Sequence, residues 1–152
     1  NTAKIEEYTV ENKKMNVIIH RKGATRSFGP GNKELKGILK RTGQPVIVGG
    51  SMETGSYLCI GTKKAEEESF GTTLHGSGRT MSRVAARSSI NASKLLENMK
   101  AKEIYVKANS ITGLTEEGGS AYKDINEVVD SMDKAGISLK VLSLKPIGNI
   151  KG

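Results

Sequence analysis

Residues 45–61 read PVIVGGSMETGSYLCIG, and this stretch decides the class of the fold. PVIVGG and SYLCIG are short β-branched or apolar runs bounded by glycine and serine, too short for buried helices, so both are expected as buried strands. The connector GSMETGS holds small residues whose backbone N–H groups can line a ligand, although on local pattern alone an ordinary hairpin connection is the favoured explanation. Its own cysteine, Cys59, lies within an apolar run and is expected to be a small buried hydrophobe. As the chain's single cysteine it excludes an intrachain disulfide and fits a reducing compartment.

Upstream, the apolar residues of KIEEYTV and MNVIIH bracket the turn-rich ENKK, which predicts a hairpin of two strands. RKGATRSFGPGNKELKGILKRTGQ is glycine-rich and carries seven cations, including Arg21, Lys22 and Arg26. It is expected as a basic loop, with at most one helical turn around Leu35 to Leu39. Such a loop suits a phosphate backbone or is simply solvated.

Downstream, KKAEEESFG supplies a short helix or an acidic turn, and TTLHGSGRTMS is too glycine-rich for a regular element. SRVAARSSI and NASKLLENMKAK have helical composition behind Ser and Asn caps. EIYVKA alternates as a strand and is followed by a polar loop. YKDINEVVDSMDKAG is a helix capped by Asp124 and stopped by Gly136, and LKVLSLKPIG is a last strand confined to an edge or a strand end by Pro146. Strands and helices mix without regular βαβ alternation, so the class is α+β. Residues 1–152 form a single unit, the size at which a real core becomes possible.

The balance of 24 Lys+Arg against 16 Asp+Glu gives a net charge of +8, which attracts polyanions without naming one. No basic-then-apolar leader and no apolar run of membrane-spanning length is present, so a cytoplasmic protein with no membrane partner is expected. The chain opens at Asn1 directly on a strand pattern, which leads to the expectation of a segment of something longer.

The chemistry concentrates in GTTLHGSGRTMSR. Gly76 and Gly78 let backbone approach phosphate, Ser77 offers a hydroxyl, and Arg79 and Arg83 can neutralise charge. A histidine aimed into such a pocket, His75, can act as a nucleophile and form a phosphoramidate. A histidine that only bonds its own loop fits the local pattern as well. For metals, His20 and His75 stand alone without i, i+3 or i, i+4 spacing, so no metal ligand is assigned within the chain.

Taken in order, NTAKIEEY, HRKGATR, GQPVIVGGSM, FGTTLHGSGRTMSR, AYKDINEVVD, AGIS and LKPIGNIKG resemble the C-terminal part of the RtcB-type RNA-splicing ligases over essentially the whole chain. The resemblance implies the guanylate-binding segment of a larger catalytic domain. The enzyme so implied uses GTP and manganese to join an RNA 3′-phosphate or 2′,3′-cyclic phosphate to a 5′-hydroxyl, with RNA, notably tRNA halves, as partner. It makes His75 the guanylylated residue. It places Asn1, Gly49, Gly50, Ser51, Met52, Ser56, Gly76, Ser77, Gly78, Tyr122 and Lys151 at the nucleotide, and Arg21, Lys22, Arg79 and Arg83 at RNA or phosphate. It sets the manganese ligands upstream of Asn1, in an N-terminal segment that becomes a required partner, so the chain alone is expected to be inactive.

Two positions depart from the family pattern. Leu74 stands where cysteine is usual and Glu53 where glycine is usual. Leu74 is tolerable if the family's thiol only packs, whereas Glu53 repels phosphate unless it faces solvent or meets a basic partner. A noncatalytic RNA- or nucleotide-binding module on the same scaffold is the alternative function.

Overall fold

A computed structural model describes residues 2–151. The 45–61 stretch forms β4 (Pro45–Gly49) and β5 (Ser56–Gly61), paired antiparallel with Val46 opposite Cys59 and Gly49 opposite Ser56. The last apolar run, β8 (Ser138–Leu144), joins the free edge of β5 and completes a three-stranded sheet in the order β4-β5-β8. Pro146 falls just past β8, which is an edge strand, as a residue without an N–H requires.

One helix covers this sheet. In α6 (Ile125–Ala135), Ile125 and Val129 are spaced i, i+4 and both buried, packed on Val46, Val48 and Cys59. Each such side chain contributes roughly 1.5–3 kcal/mol on burial. The Asp124 carboxylate accepts from the N–H of Asn126 at 2.7 Å, and Gly136 ends the helix in the left-handed region at φ 72°. Cys59 is buried, and burial pushes its thiol up from its ordinary pKa.

A second small core, Met52, Leu95, Met99, Ile104 and Leu114, lies under α4 (Ala92–Ala101), whose Asn91 side chain caps it. Ahead of it come α2 (Lys63–Ser69) and α3 (Arg83–Ser89), capped by Thr62 and Ser82. β7 (Tyr105–Ala108) pairs in parallel with the terminal strand β9 (Gly148–Lys151). The expected N-terminal hairpin is present as β1 (Thr2–Val10) and β2 (Lys13–Arg21).

Several sequence expectations need correction. The basic segment is not all loop: β3 (Ala24–Arg26) pairs with β6 (Thr72–Leu74), so the glycine-rich TTLHGSGRTMS also opens on a strand. The helical turn expected at Leu35 to Leu39 lies three residues later, as α1 (Ile38–Thr42), because Gly37 holds a φ of 54° that starts the turn there. The polar loop after β7 contains α5 (Ile111–Glu116), capped by Ser110 and fixed by the burial of Leu114, followed by a 3-10 turn at Gly119–Ala121.

Arg21 does not face RNA. It is 4% exposed and paired through both terminal nitrogens with the buried Glu6, at 2.7 and 2.8 Å. Its remaining bonds go to the Phe70 carbonyl at 2.8 Å and Thr72 Oγ1 at 2.9 Å. The guanidinium therefore clamps the hairpin to the β6 strand and has no face left for phosphate.

Candidate functional site

The β3–β6 pair delivers His75 to one place. Ala24 pairs with Leu74, the residue before it. β6 is held from its other side by Thr73 Oγ1, 3.0 Å from Ser138 Oγ in a buried contact. Leu74 packs against the core of β4, β5 and α6, so the departure from cysteine fills a packing role. Past Leu74 the chain leaves the sheet, and His75 is exposed.

There the HGSGR loop meets the GGSM turn. Gly49 N donates to the His75 carbonyl at 3.1 Å and Ser77 N donates to the Gly49 carbonyl at 2.8 Å, a parallel bridge between Gly49 and Gly76. The approach requires glycine: a Cβ on Gly76 would stand 3.0 Å from the Gly49 oxygen. Two stretches 26 to 28 residues apart thus become one surface. Gly78 takes φ +75° with open space where a Cβ would point, so the outer side of the loop is accessible. Ser77 Oγ is buried without a hydrogen-bond partner, an unspent donor in the same loop.

The turn after Gly50 is closed by its own side chains. Ser51 N donates to Thr54 Oγ1 at 2.9 Å, Glu53 N donates to Ser51 Oγ at 3.2 Å, and Gly50 N donates to the Gly55 carbonyl at 2.8 Å. Ser56 starts β5 opposite Gly49. The Glu53 carboxylate accepts from Gly119 N at 2.6 Å and lies 3.9 Å from Lys102 Nζ. It meets a basic partner and a backbone donor, which answers the charge conflict raised by its position. Behind the turn a cleft of about 630 Å³ is lined by Glu53, Met81, Ile90, Lys94, Leu95 and Asn98, among others.

The chain's far end reaches the same turn through Asn149. Asn149 Nδ2 donates to the Met52 carbonyl at 3.0 Å, and Asn149 and Lys151 are the two half-buried residues of β9, on one strand face. The tail is a strand held by Asn109 N donating to the Lys151 carbonyl at 3.1 Å, rather than a frayed end. Asn1 lies outside the described residues.

Arg79 and Tyr122 meet each other instead of standing free. Arg79 donates to the Met81 carbonyl at 3.1 Å, the Tyr122 hydroxyl at 2.9 Å and the Glu116 carbonyl at 2.6 Å, and its guanidinium stacks 4.8 Å from the Tyr122 ring. The Tyr122 hydroxyl in turn donates to Glu117, and burial, followed by that carboxylate, holds its pKa above the ordinary value. Lys123 N donates to the Gly78 carbonyl and Thr80 N to the Ala121 carbonyl, so this cluster braces the back of the HGSGR loop. Arg83, by contrast, is 64% exposed, with Glu116 and Glu117 at 3.6 and 3.7 Å. Lys22 is exposed in the turn between β2 and β3. Sequence reading missed Glu116 and Glu117, and the adjacent acidic pair opposite a run of arginines was the signal available.

Among the described residues no group of three or more His, Cys, Asp or Glu side chains could hold a metal ion. Likewise no helix there is long and apolar enough to cross a membrane.

Comparison with known proteins adds to this geometry. A family model described as tRNA-splicing ligase RtcB matches residues 1–152. The tRNA-splicing ligase RtcB of Archaeoglobus fulgidus is 50% identical over 152 residues, which is 100% of this chain and 32% of that protein. That of Nanoarchaeum equitans is 49% identical with the same coverage, and RNA-splicing ligase RtcB homolog 1 of Entamoeba dispar is 45% identical, with 28% of its length covered. The chain therefore spans about a third or less of these relatives.

Proposed function

We propose, from the premise that this chain belongs to the RtcB family of RNA ligases, that it carries the nucleophile and guanylate pocket of a GTP-dependent RNA ligase. The observation that carries this reading is the Gly49–Gly76 bridge, which sets the GGSM turn beside an exposed His75.

In this mechanism a ring nitrogen of His75 attacks the α-phosphorus of GTP. An N–P bond forms as the P–O bond to the β-phosphate breaks, pyrophosphate leaves, and the ring N–H proton passes to solvent. An RNA 3′-phosphate oxygen then takes the guanylate from the imidazole, and a 5′-hydroxyl displaces GMP to close the phosphodiester. Ser77 lies in the loop that would hold the guanylate phosphate, with its hydroxyl buried and its N–H donated to the Gly49 carbonyl. Lys151, on the Met52 side of β9, offers only donors and so favours the guanine carbonyl over the adenine amino group. Gly49, Gly50, Ser51, Met52 and Ser56 form the turn that receives the nucleotide, while Arg83 and Lys22 are the exposed cations for RNA phosphate.

Arg79 and Tyr122 act as positioning residues that brace the loop carrying His75. The described residues do not fit manganese, so its ligands are assigned to a segment outside this chain and no step is routed through it. The 152 residues alone are expected to be inactive, and the whole enzyme to act on RNA ends such as tRNA halves in the cytoplasm.

The test is His75→Ala in a polypeptide that carries this chain together with the further segment its relatives have. With GTP and manganese, the unsubstituted protein should acquire an acid-labile GMP adduct and the variant should acquire none while keeping its circular dichroism. An adduct that persists in the variant removes His75 from the mechanism. Failure of the unsubstituted protein to form one leaves a noncatalytic nucleotide- or RNA-binding module.

A further inference from the structure

The β4-β5-β8 sheet has two faces, and among the described residues a helix covers only one. Val46, Val48 and Cys59 face α6, as does Lys140, which pairs with Cys59 and bonds Asp130 on that helix. By alternation, Ile47, Leu58, Ile60, Leu139, Leu142 and Leu144 line the opposite face, and the bulge between Leu58 and Cys59 keeps Leu142 and Leu144 on that side. Ile47 is 58% exposed, and Val141 at the bulge is 55% exposed. No charged residue interrupts these six positions. Interfaces between independent proteins carry polar and charged groups, whereas an all-aliphatic surface resembles a domain core cut in half.

The same condition holds elsewhere. Ile5 and Ile18 pair across the β1–β2 hairpin with exposures of 72% and 75%. Among the described residues seventeen large hydrophobic side chains are exposed against sixteen buried hydrophobic ones, so the chain does not cover its own apolar surface. This open aliphatic surface lies on separate elements, whereas a two-fold contact with a second copy uses one self-complementary patch. The relatives are about three times as long as the matched segment. We infer that the outer face of the β4-β5-β8 sheet is the seam against which the remaining segment of an RtcB chain packs, closing the sheet into a two-sided core. This rests on family membership and not on the role given to His75, so adduct chemistry neither supports nor damages it.

Cysteine labelling at Ile47→Cys and Leu144→Cys reads the face directly, in a polypeptide carrying this chain and the additional segment. Rates are followed peptide by peptide by mass spectrometry, natively and in denaturant, with the buried Cys59 as an internal check that the sheet is folded. Both introduced thiols should react about a hundredfold more slowly in the native protein, the protection expected of a buried core position. Labelling at the denatured rate while Cys59 stays protected overturns the inference. Protection that vanishes on dilution, together with a dimer mass by light scattering, also overturns it and assigns the face to a second copy. If either substitution exposes Cys59, hydroxyl-radical oxidation of Leu139 and Leu142 in the unsubstituted polypeptide decides between the same outcomes.

Discussion

Glu6→Gln should be among the most damaging single-atom changes in this protein. The carboxylate it neutralises is 8% exposed and accepts from both terminal nitrogens of Arg21, itself 4% exposed. Exposed ion pairs contribute about 0–1 kcal/mol, but removing one partner of a buried pair leaves an uncompensated charge and costs about 3–5 kcal/mol. For a domain of this length, that lowers Tm by roughly 6–20 °C. The Arg21 hydrogen bond, opposed by burial, holds the Glu6 carboxyl below its ordinary value of 4.5. A carboxyl with a depressed folded pKa contributes stability above its unfolded pKa and loses it as pH falls through the folded one. The difference between Glu6→Gln and the unsubstituted protein should therefore be full at pH 7 and shrink below about pH 4.5.

Urea unfolding followed by circular dichroism at pH 7 and pH 3.5 measures both effects. The double variant Glu6→Leu with Arg21→Met should recover most of the loss, since a hydrophobic replacement of the whole pair is often neutral. It should also keep the affinity for RNA and its salt dependence, because Arg21 releases no counterion from phosphate. A loss under about 1 kcal/mol for Glu6→Gln would refute the reasoning, as it would show the pair behaving like an exposed one.

Gly55→Ala should destabilise the GGSM turn strongly, by about 2 kcal/mol or more, because a Cβ there would stand 2.1 Å from the Leu144 carbonyl oxygen at φ +84°. Thermal unfolding should show a clearly lowered midpoint. Tyr122→Phe removes the hydroxyl between Arg79 and Glu117 and should cost about 1–2 kcal/mol while slowing guanylylation through the loosened loop. Here chemical denaturation and adduct formation, measured on the same preparation, should fall together.

The parts legible in the sequence were those with a strong local signal. β4, β5 and α6 follow from apolar period and caps, and Asp124 and Gly136 mark both ends of α6 correctly. β3 and β6 escaped because the three-residue strands ATR and TTL are too short to show a periodicity, and only their mutual pairing defines them. α5 escaped because ITGLTE has poor intrinsic helix propensity, and burial of Leu114 and Thr115 overrides it. At the site, the GGSM and HGSGR segments were legible, but not the bond between them. Arg21 was misplaced for the same reason: its partner Glu6 is fifteen residues away, and a run of cations says nothing about which one turns inward.

The bond from Asn149 to the Met52 carbonyl joins residues 97 apart, and β9 finds β7 only after α5, α6 and β8 have been laid between them. Contacts of such separation carry a larger loop-closure cost than local ones. The GGSM turn is therefore buttressed by a contact that local structure alone cannot make. A molecule in which β9 has not docked lacks the Asn149 bond to that turn. Under the proposed function, competence to hold guanylate would then belong to the finished molecule, because the buttress of the turn comes from the strand that follows all the others.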